Sequence, residues 1–395
     1  MSSPSVGRAW QRPQLRDDGD TPRPVGWVEL FFDLVFVVII AVLAGDLERH
    51  LDAAGLVRFL LEFVAIFWAW NGFTYYTERF ESAGLENRLF VFLAILAVAG
   101  LAIWGADGLG SNYLGFAIAY LLARGLNIAF WLRAARFVPR FRKPAFSFAV
   151  GFLVAVVLIV VSFTVDESIR LVLWGAAVLA DIAAPAVTQR FQVTLPPISR
   201  DKFPERFGLF TMILLGETLA GVIRGVAAAN TAAALTPLTM ADAALGLAIG
   251  FGIWWVYFDF IARRPTRPEF TIALLWVYLH ISAMASIVVV GAGVAEAIPA
   301  SHATAVPGGV LAFVFGGLGA TLISFGLLEL TLDRSDSEPT HPRLSPGLKF
   351  AAGLVLVALA VAHPGIPVSV AFAVALVALA IQAAYGATVY FRRKV

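Results

Sequence analysis

The sequence contains no cysteine. This absence excludes disulfide bonds, thiol catalysis and cysteine-ligated metals. The short signatures of zinc peptidases, nucleotide-binding P-loops and Ser-based hydrolases are also missing from the chain. We therefore predict no cofactor and no metal, and no ATP-driven activity.

Charged residues are scarce as well, at 14% of the chain, where a soluble domain carries about 25%. Hydrophobic residues make up 59% and the mean hydropathy is +0.82. This composition is typical of a polytopic membrane protein, with the lipid bilayer as its main partner. The net charge of +2 gives no indication of a nucleic-acid partner.

Long apolar runs follow one another along the chain. A membrane-spanning helix needs about 20 mainly apolar residues, and about twelve segments meet this condition. The prediction is an all-α transmembrane bundle with segments at 26–46, 55–76, 88–107, 112–133, 145–165, 168–188, 204–227, 241–262, 269–295, 307–332, 347–363 and 366–391.

Lys and Arg cluster in every second connection between these segments. The richest cluster follows the fourth segment, Arg334, Arg343 and Lys349 follow the tenth, and a basic triplet closes the chain. The alternate connections are nearly free of Lys and Arg, apart from Arg49, Arg58, Arg170 and Arg224. The positive-inside rule then predicts that both termini are cytoplasmic. We expect residues 1–24, which are polar and rich in Arg and Pro, to be a disordered cytoplasmic tail rather than a signal peptide.

Two stretches of the chain resemble each other. The run "ELFFDLVFVVIIAVLAG" at 29–45 aligns with "ERFGLFTMILLGETLAG" at 205–221, and both end in Leu-Ala-Gly. An even number of helices in each half gives both copies the same orientation. The prediction is two parallel six-helix pseudo-repeats, 25–188 and 204–392, joined by a cytoplasmic linker at 189–203.

Ionisable residues inside the apolar segments are the best pointers to function, because each costs about 2.5–3.5 kcal/mol at the bilayer centre. A first layer lies near the predicted midplane. A carboxylate in an apolar setting binds protons more tightly, and a nearby Arg opposes this. The layer can therefore form a proton or cation pathway, or an ion pair that only fixes helix packing; its members are Glu217, Arg124, Asn127, Asp181 and His280.

A second layer lies near the predicted cytoplasmic face. Glu29 and Asp33 are four residues apart and share one face of the first segment. Glu29 can simply complement the helix dipole, whereas Asp33, one turn deeper among phenylalanines, needs a partner inside the bundle. The same layer contains Asn71 in the second segment, Asp259 in the eighth and Glu329 in the tenth.

The motifs "ELFFDLVFV", "ERFGLFTMILLGET" and "WWVYFDF" together resemble the bacterial low temperature requirement A family. The resemblance extends from about residue 24 onward. It implies a polytopic protein of the bacterial plasma (inner) membrane, and it implies no particular reaction or substrate. It also places eight residues on positions characteristic of the family, namely Glu29, Phe32, Asp33, Glu205, Gly208, Gly216, Glu217 and Asp259.

The leading hypothesis is a proton- or cation-coupled secondary transporter of a small molecule or ion. Glu217 would be the central site, aided by Arg124 and Asp181, and Asp33 would be a second station. One alternative is a membrane-embedded enzyme acting on a lipid or another apolar substrate, with Glu217 and Asp33 as acid–base groups. Another is a non-catalytic, stress-related membrane protein. Homo-oligomer formation is left open.

Overall fold

A computed structural model describes residues 13–15, 26–81, 85–192, 202–334 and 340–392. The predicted tail at 1–24, apart from residues 13–15, lies outside the described residues. So does most of the predicted linker, at residues 193–201.

The described chain is all-α, as predicted, apart from one antiparallel pairing of two residues per strand, Gln14–Leu15 with Phe80–Glu81, and an isolated bridge between Thr266 and Leu332. The helices are α1 (Trp27–Arg49), α2 (Ala53–Arg79), α3 (Leu85–Ile103), α4 (Tyr113–Phe137), α5 (Arg142–Val161), α6 (Glu167–Val187), α7 (Gln189–Gln192), α8 (Lys202–Thr231), α9 (Pro237–Tyr257), α10 (Phe270–Ala297), α11 (Gly308–Thr331), α12 (Leu344–Ala362) and α13 (Val368–Arg392).

Eleven of the described helices are long and apolar enough to cross a membrane. The apolar part of α3, Asn87–Ile103, is somewhat shorter. Together these twelve helices coincide with the twelve predicted segments, which confirms the count. The parallel repeat and the cytoplasmic position of both termini stay predictions.

Local signals in the sequence explain where several helices begin and end. Asp166 caps α6 by accepting a hydrogen bond from the backbone N–H of Ile169 at 3.1 Å. Thr236 caps α9 in the same way, and Pro237 occupies its first position. At the end of α12, His363 adopts a left-handed conformation with φ of 45°, and the proline after it cannot continue a helix.

The chain packs as two compact units. Unit 1 consists of the described residues within Met1–Val42 and Leu61–Phe203. Unit 2 consists of Leu43–Leu60, which is the tip of the α1–α2 hairpin, and the described residues within Pro204–Val395. The predicted six-helix halves remain a prediction.

Unit 1 has an aromatic core. The ring of Trp131 stacks on Phe148 with centroids 4.5 Å apart, and Tyr76 stacks on Phe130 at 4.8 Å. Trp174 is fully buried between other rings. Each such ring pair contributes about 0.5–1.5 kcal/mol beyond the area it buries. Together they hold α2, α4, α5 and α6 in a fixed arrangement around the polar residues of this unit.

Unit 2 depends on close helix contacts. Helix α11 packs along both α10 and α12. A Cβ atom at Gly319 would lie only 2.7 Å from the carbonyl oxygen of Gly353, and one at Gly353 only 2.8 Å from that of Gly319. Such backbone contact is available only to glycine, and it is a common way for membrane helices to associate.

Candidate functional site

A fully buried polar contact of unit 1 joins α4 to α6. Arg124 and Asp181 are both fully buried, and a guanidinium nitrogen lies 2.6 Å from a carboxylate oxygen. Tyr120 donates to the same carboxylate oxygen at 2.7 Å and accepts from Arg124 Nε at 2.9 Å. The guanidinium also lies over the ring of Phe152. The expected meeting of a basic and an acidic group thus occurs between Arg124 and Asp181.

Asn127 lies one turn beyond Arg124 on α4 and is fully buried. Its amide nitrogen lies 3.5 Å from the backbone carbonyl of Ala69. A Cβ atom at Gly72 would come within 3.0 Å of the Asn127 side chain. Asn127 therefore packs directly against the backbone of α2, where glycine makes room for it.

The two acids of α1 have different surroundings. Asp33 is buried, with 2% exposure, and accepts a hydrogen bond from the indole N–H of Trp70 at 2.8 Å. Glu29 lies at the start of the helix and accepts from the backbone N–H of Gly26 at 3.0 Å. Glu29 thus makes the contact expected of an acid at a helix start, and Asp33 has a partner inside the bundle, as its depth required.

In unit 2, Glu217 belongs to a group of three charges. Arg224, two turns further along α8, lies 2.7 Å from Glu217 and 2.5 Å from Glu48. Its Nε also donates to the second oxygen of Glu48 at 3.3 Å. The side chains of Glu217 and Glu48 are 6% and 15% exposed, whereas that of Arg224 is 40% exposed. One guanidinium is thus shared by two carboxylates, which leaves one negative charge in excess.

A third acid lies near this group. Glu296, at the end of α10, interacts electrostatically with Glu48. The backbones of α8 and α10 are in close contact here, since a Cβ atom at Gly225 would lie 2.5 Å from the carbonyl oxygen of Ala295. This end of unit 2 therefore gathers negative charge beside a tight contact between two helices.

His280 is fully buried on α10. Its Nδ1 lies 2.8 Å from the backbone carbonyl of Trp276, so Nδ1 carries the hydrogen and donates it. Its Nε2 lies 3.1 Å from the hydroxyl of Tyr257 and accepts from it. The rings of Trp276 and Phe207 pack against the imidazole. Both ring nitrogens are thereby satisfied, which is the arrangement of a core histidine.

Asp259, the last predicted site residue, lies in a π-helical turn at the end of α9, Phe258–Ala262. Its side chain is 39% exposed and lies 3.5 Å from Arg263. This is a surface ion pair at the end of a helix.

A second buried charge group lies around Glu329 in unit 2. Glu329 was expected in the second polar layer, whereas its partners carried no signal in the sequence. The ammonium group of Lys349 lies 2.9 Å from Glu329, and both side chains are at most 1% exposed. Ser345 donates to the same carboxylate at 2.9 Å, and Arg264 lies 3.6 Å from its other oxygen. The ammonium also lies over the ring of Phe260. This group ties the start of α12 to the ends of α9 and α11.

The family model for the bacterial low temperature requirement A protein (LtrA) matches residues 24–384. The chain belongs to this family. An uncharacterized protein of Rhizobium meliloti (strain 1021) is 25% identical over 300 residues, which cover 71% of each chain. No solved structure matches the chain. The resemblance seen in the motifs is confirmed.

As a member of the low temperature requirement A family with eleven to twelve apolar helices, the chain is a multi-pass integral membrane protein. Its spanning helices are in contact with lipid. Among the residues that the structure describes, no three His, Asp or Glu side chains lie close enough together to hold a metal ion.

Arg224 and Glu48 are the main residues of the Glu217 group that were not predicted from the sequence. Arg224 was grouped with the few basic residues of the poorly charged connections, although it lies inside α8. Its spacing of seven from Glu217 puts both side chains on one helix face, and this signal could have been used. The involvement of Glu48 depends on a contact between distant segments and has no local signal.

Proposed function

We propose that this family member is a secondary carrier of the bacterial plasma membrane that moves a small molecule or ion, coupled to a proton or another monovalent cation. The observation that carries the proposal is the sharing of Arg224 between Glu217 and Glu48.

The charge count of this group explains why it suits coupling. Two carboxylates and one guanidinium leave one negative charge uncompensated, and the two carboxylates are largely buried. An uncompensated charge in an apolar surrounding is unfavourable, so a proton or small cation that neutralises it is bound favourably. The group can therefore exist in a loaded and an unloaded state.

Arg224 makes the two states structurally different. When Glu217 is neutralised, the guanidinium loses one of its two partners and is held by Glu48 alone. Because the guanidinium is 40% exposed, it has room to move. Glu48 lies at the end of α1, so the change at Glu217 is transmitted to the hairpin tip at Leu43–Leu60. A carrier needs such a link between ion binding and helix position.

The other predicted residues take different parts in this proposal. Asp33 stays the second station, held in place by the indole of Trp70. The pair of Arg124 and Asp181 is so completely enclosed that it suits a fixed connection between α4 and α6. A single pathway that joins these residues to Glu217 stays a prediction.

The proposal is tested by proton uptake into proteoliposomes that contain a pH-sensitive dye, under an imposed membrane potential. The wild type is compared with Glu217→Gln, each alone and with pooled cytoplasmic metabolites, and with Na⁺ or K⁺ tracer uptake in parallel. Glu269→Gln is the matched control, because Glu269 is exposed at the start of α10.

We expect protein-dependent uptake of a proton or cation in the wild type and in Glu269→Gln, and its loss in Glu217→Gln. Stimulation by metabolites identifies a carrier, whereas uptake that ignores them identifies a channel and contradicts the proposal. Absence of protein-dependent uptake under every condition, or full uptake by Glu217→Gln, also overturns it.

A further inference from the structure

The connection between α4 and α5 carries an exposed cluster of positive charge. We refer to its four cations, all of which are exposed, as the basic turn: Arg136, Arg140, Arg142 and Lys143. Neither α4, nor α5, nor the connection between them contains an Asp or Glu residue. Among the described residues, none of the four cations has a carboxylate within ion-pair distance. The basic turn therefore presents positive charge that the described protein groups do not balance.

Other exposed arginines of the chain do have acidic partners. Arg49 lies 2.9 Å from Asp46, and Arg263 lies 3.5 Å from Asp259. The orientation of a membrane protein depends on the number of Lys and Arg residues in its connections rather than on their net charge. Orienting the chain therefore does not require that acids be absent. Their absence at the basic turn points instead to a negatively charged partner.

The backbone that presents these cations is held in place from the inside. A single 3₁₀ turn, Pro139–Phe141, leads directly into α5. The ring of Phe141 is buried and lies edge-on to the ring of Phe80, with centroids 6.2 Å apart. Arg142 Nε also donates to the backbone carbonyl of Ala135 at 3.4 Å. The cations thus project from a fixed turn, so binding a partner requires little ordering of the backbone.

Exposed apolar side chains lie directly beside the basic turn. On α4, the exposed Leu132 lies one turn before Arg136 on the same helix face. On α5, the exposed Phe146 lies one turn after Arg142 on the same face. The two helices pack against each other. Each helix thus combines a cation with a neighbouring lipid-facing side chain, which is typical of the boundary between hydrocarbon and headgroups.

We propose that the basic turn binds the headgroups of anionic phospholipids in the membrane that surrounds the chain. A cluster of Lys and Arg beside a membrane-spanning helix attracts anionic lipid. The phosphate oxygens of such a headgroup accept hydrogen bonds from guanidinium and ammonium groups. The acyl chains of the same lipid can lie along the exposed Leu132 and Phe146. A soluble anion has no acyl chains, so these apolar neighbours favour a lipid.

This inference goes beyond the proposed carrier activity and does not depend on it, because it concerns lipid binding at equilibrium. The basic turn lies in unit 1, whereas the Glu217 group lies in unit 2. A failure of lipid binding would leave the proposed ion uptake untouched, and the reverse also holds.

The test measures lipid binding to the full-length protein in detergent by native mass spectrometry. Anionic phosphatidylglycerol and zwitterionic phosphatidylcholine, with identical acyl chains, are titrated separately. The variant Arg140→Gln with Lys143→Gln removes two cations from the basic turn. The matched control, Arg49→Gln with Arg263→Gln, changes the net charge equally but removes arginines that have carboxylate partners. A charge-keeping variant, Arg140→Lys with Lys143→Arg, retains both positive charges.

We expect the wild type to bind phosphatidylglycerol at least about tenfold more tightly than phosphatidylcholine. Arg140→Gln with Lys143→Gln loses about a factor of five in phosphatidylglycerol affinity for each cation removed, whereas its phosphatidylcholine affinity is unchanged. The matched control and the charge-keeping variant retain the wild-type affinities. The single variant Arg136→Gln, which loses about one such factor, guards against a failure of the double variant to fold.

Four results would overturn the proposal. The first is equal affinity of the wild type for the two lipids. The second is a phosphatidylglycerol affinity that is unchanged in Arg136→Gln and in the double Gln variant. The third is an equal loss in the matched control or in the charge-keeping variant, since charge at this surface would then not be the cause. The fourth is displacement of the lipid by excess inorganic phosphate at constant ionic strength, which would mean that the surface binds a soluble anion.

Discussion

Replacing Asp181 by Ala in unit 1 tests whether the pair with Arg124 holds α4 and α6 together. The substitution leaves a guanidinium with no opposing charge, because the pair is at most 1% exposed and water cannot take the place of the carboxylate. It also deprives the Tyr120 hydroxyl of its acceptor. The result is a buried positive charge with only carbonyl and aromatic neighbours.

The expected loss in the free energy of unfolding is about 3–5 kcal/mol, the range measured when one member of a buried ion pair is removed. Asp181→Asn costs less, since its carbonyl oxygen can still accept from Tyr120 and Arg124. The double variant Arg124→Met with Asp181→Leu removes both charges. It recovers most of the loss, because apolar replacement of a whole buried pair is often neutral.

The free energies are measured by reversible unfolding in mixed detergent micelles, with the four proteins compared under one set of conditions. A loss below about 1 kcal/mol for Asp181→Ala, which is the value of an exposed pair, would refute the reasoning. So would a double variant as unstable as Asp181→Ala, because the cost would then come from packing rather than from the stranded charge.

Two further predictions concern unit 2. Gly225→Ala lowers the free energy of unfolding by about 1–3 kcal/mol, since the new methyl group would lie 2.5 Å from the carbonyl oxygen of Ala295. The control Gly216→Ala, with open space around the glycine, shows no loss in the same unfolding assay. Lys349→Met lowers the free energy of unfolding by about 3–5 kcal/mol, because it leaves the buried carboxylate of Glu329 without its opposing charge. Adding Glu329→Gln recovers most of that loss, and equal stability of the single and double variants would contradict this.

The fold was largely predictable because membrane spans are defined by local composition. A run of about 20 apolar residues has few alternatives to a helix in lipid, so the twelve segments needed no knowledge of their neighbours. Helix ends were also readable where a local signal exists, as in the turn at Asp166 before α6. Contacts between helices carry no such signal. The close approach of Gly319 to Gly353 joins residues 34 positions apart.

The site was predictable only in part, for the same reason. Depth alone identified Asp33, Arg124 and Asp181 as buried polar residues, and all three are buried with polar partners. Depth did not identify Lys349, which was grouped with the basic residues between segments although it is fully buried.

The central claim is that Glu217 binds a proton or cation because it shares one guanidinium with Glu48. The variant Glu48→Gln tests this most directly. It leaves Glu217 intact but removes the second carboxylate, so that Arg224 alone balances the charge of Glu217. The measurement is the initial rate of proton or cation uptake into proteoliposomes, for the wild type, Glu48→Gln and Glu269→Gln. The account predicts that Glu48→Gln loses uptake while Glu269→Gln retains it. Uptake by Glu48→Gln at the wild-type rate would contradict it.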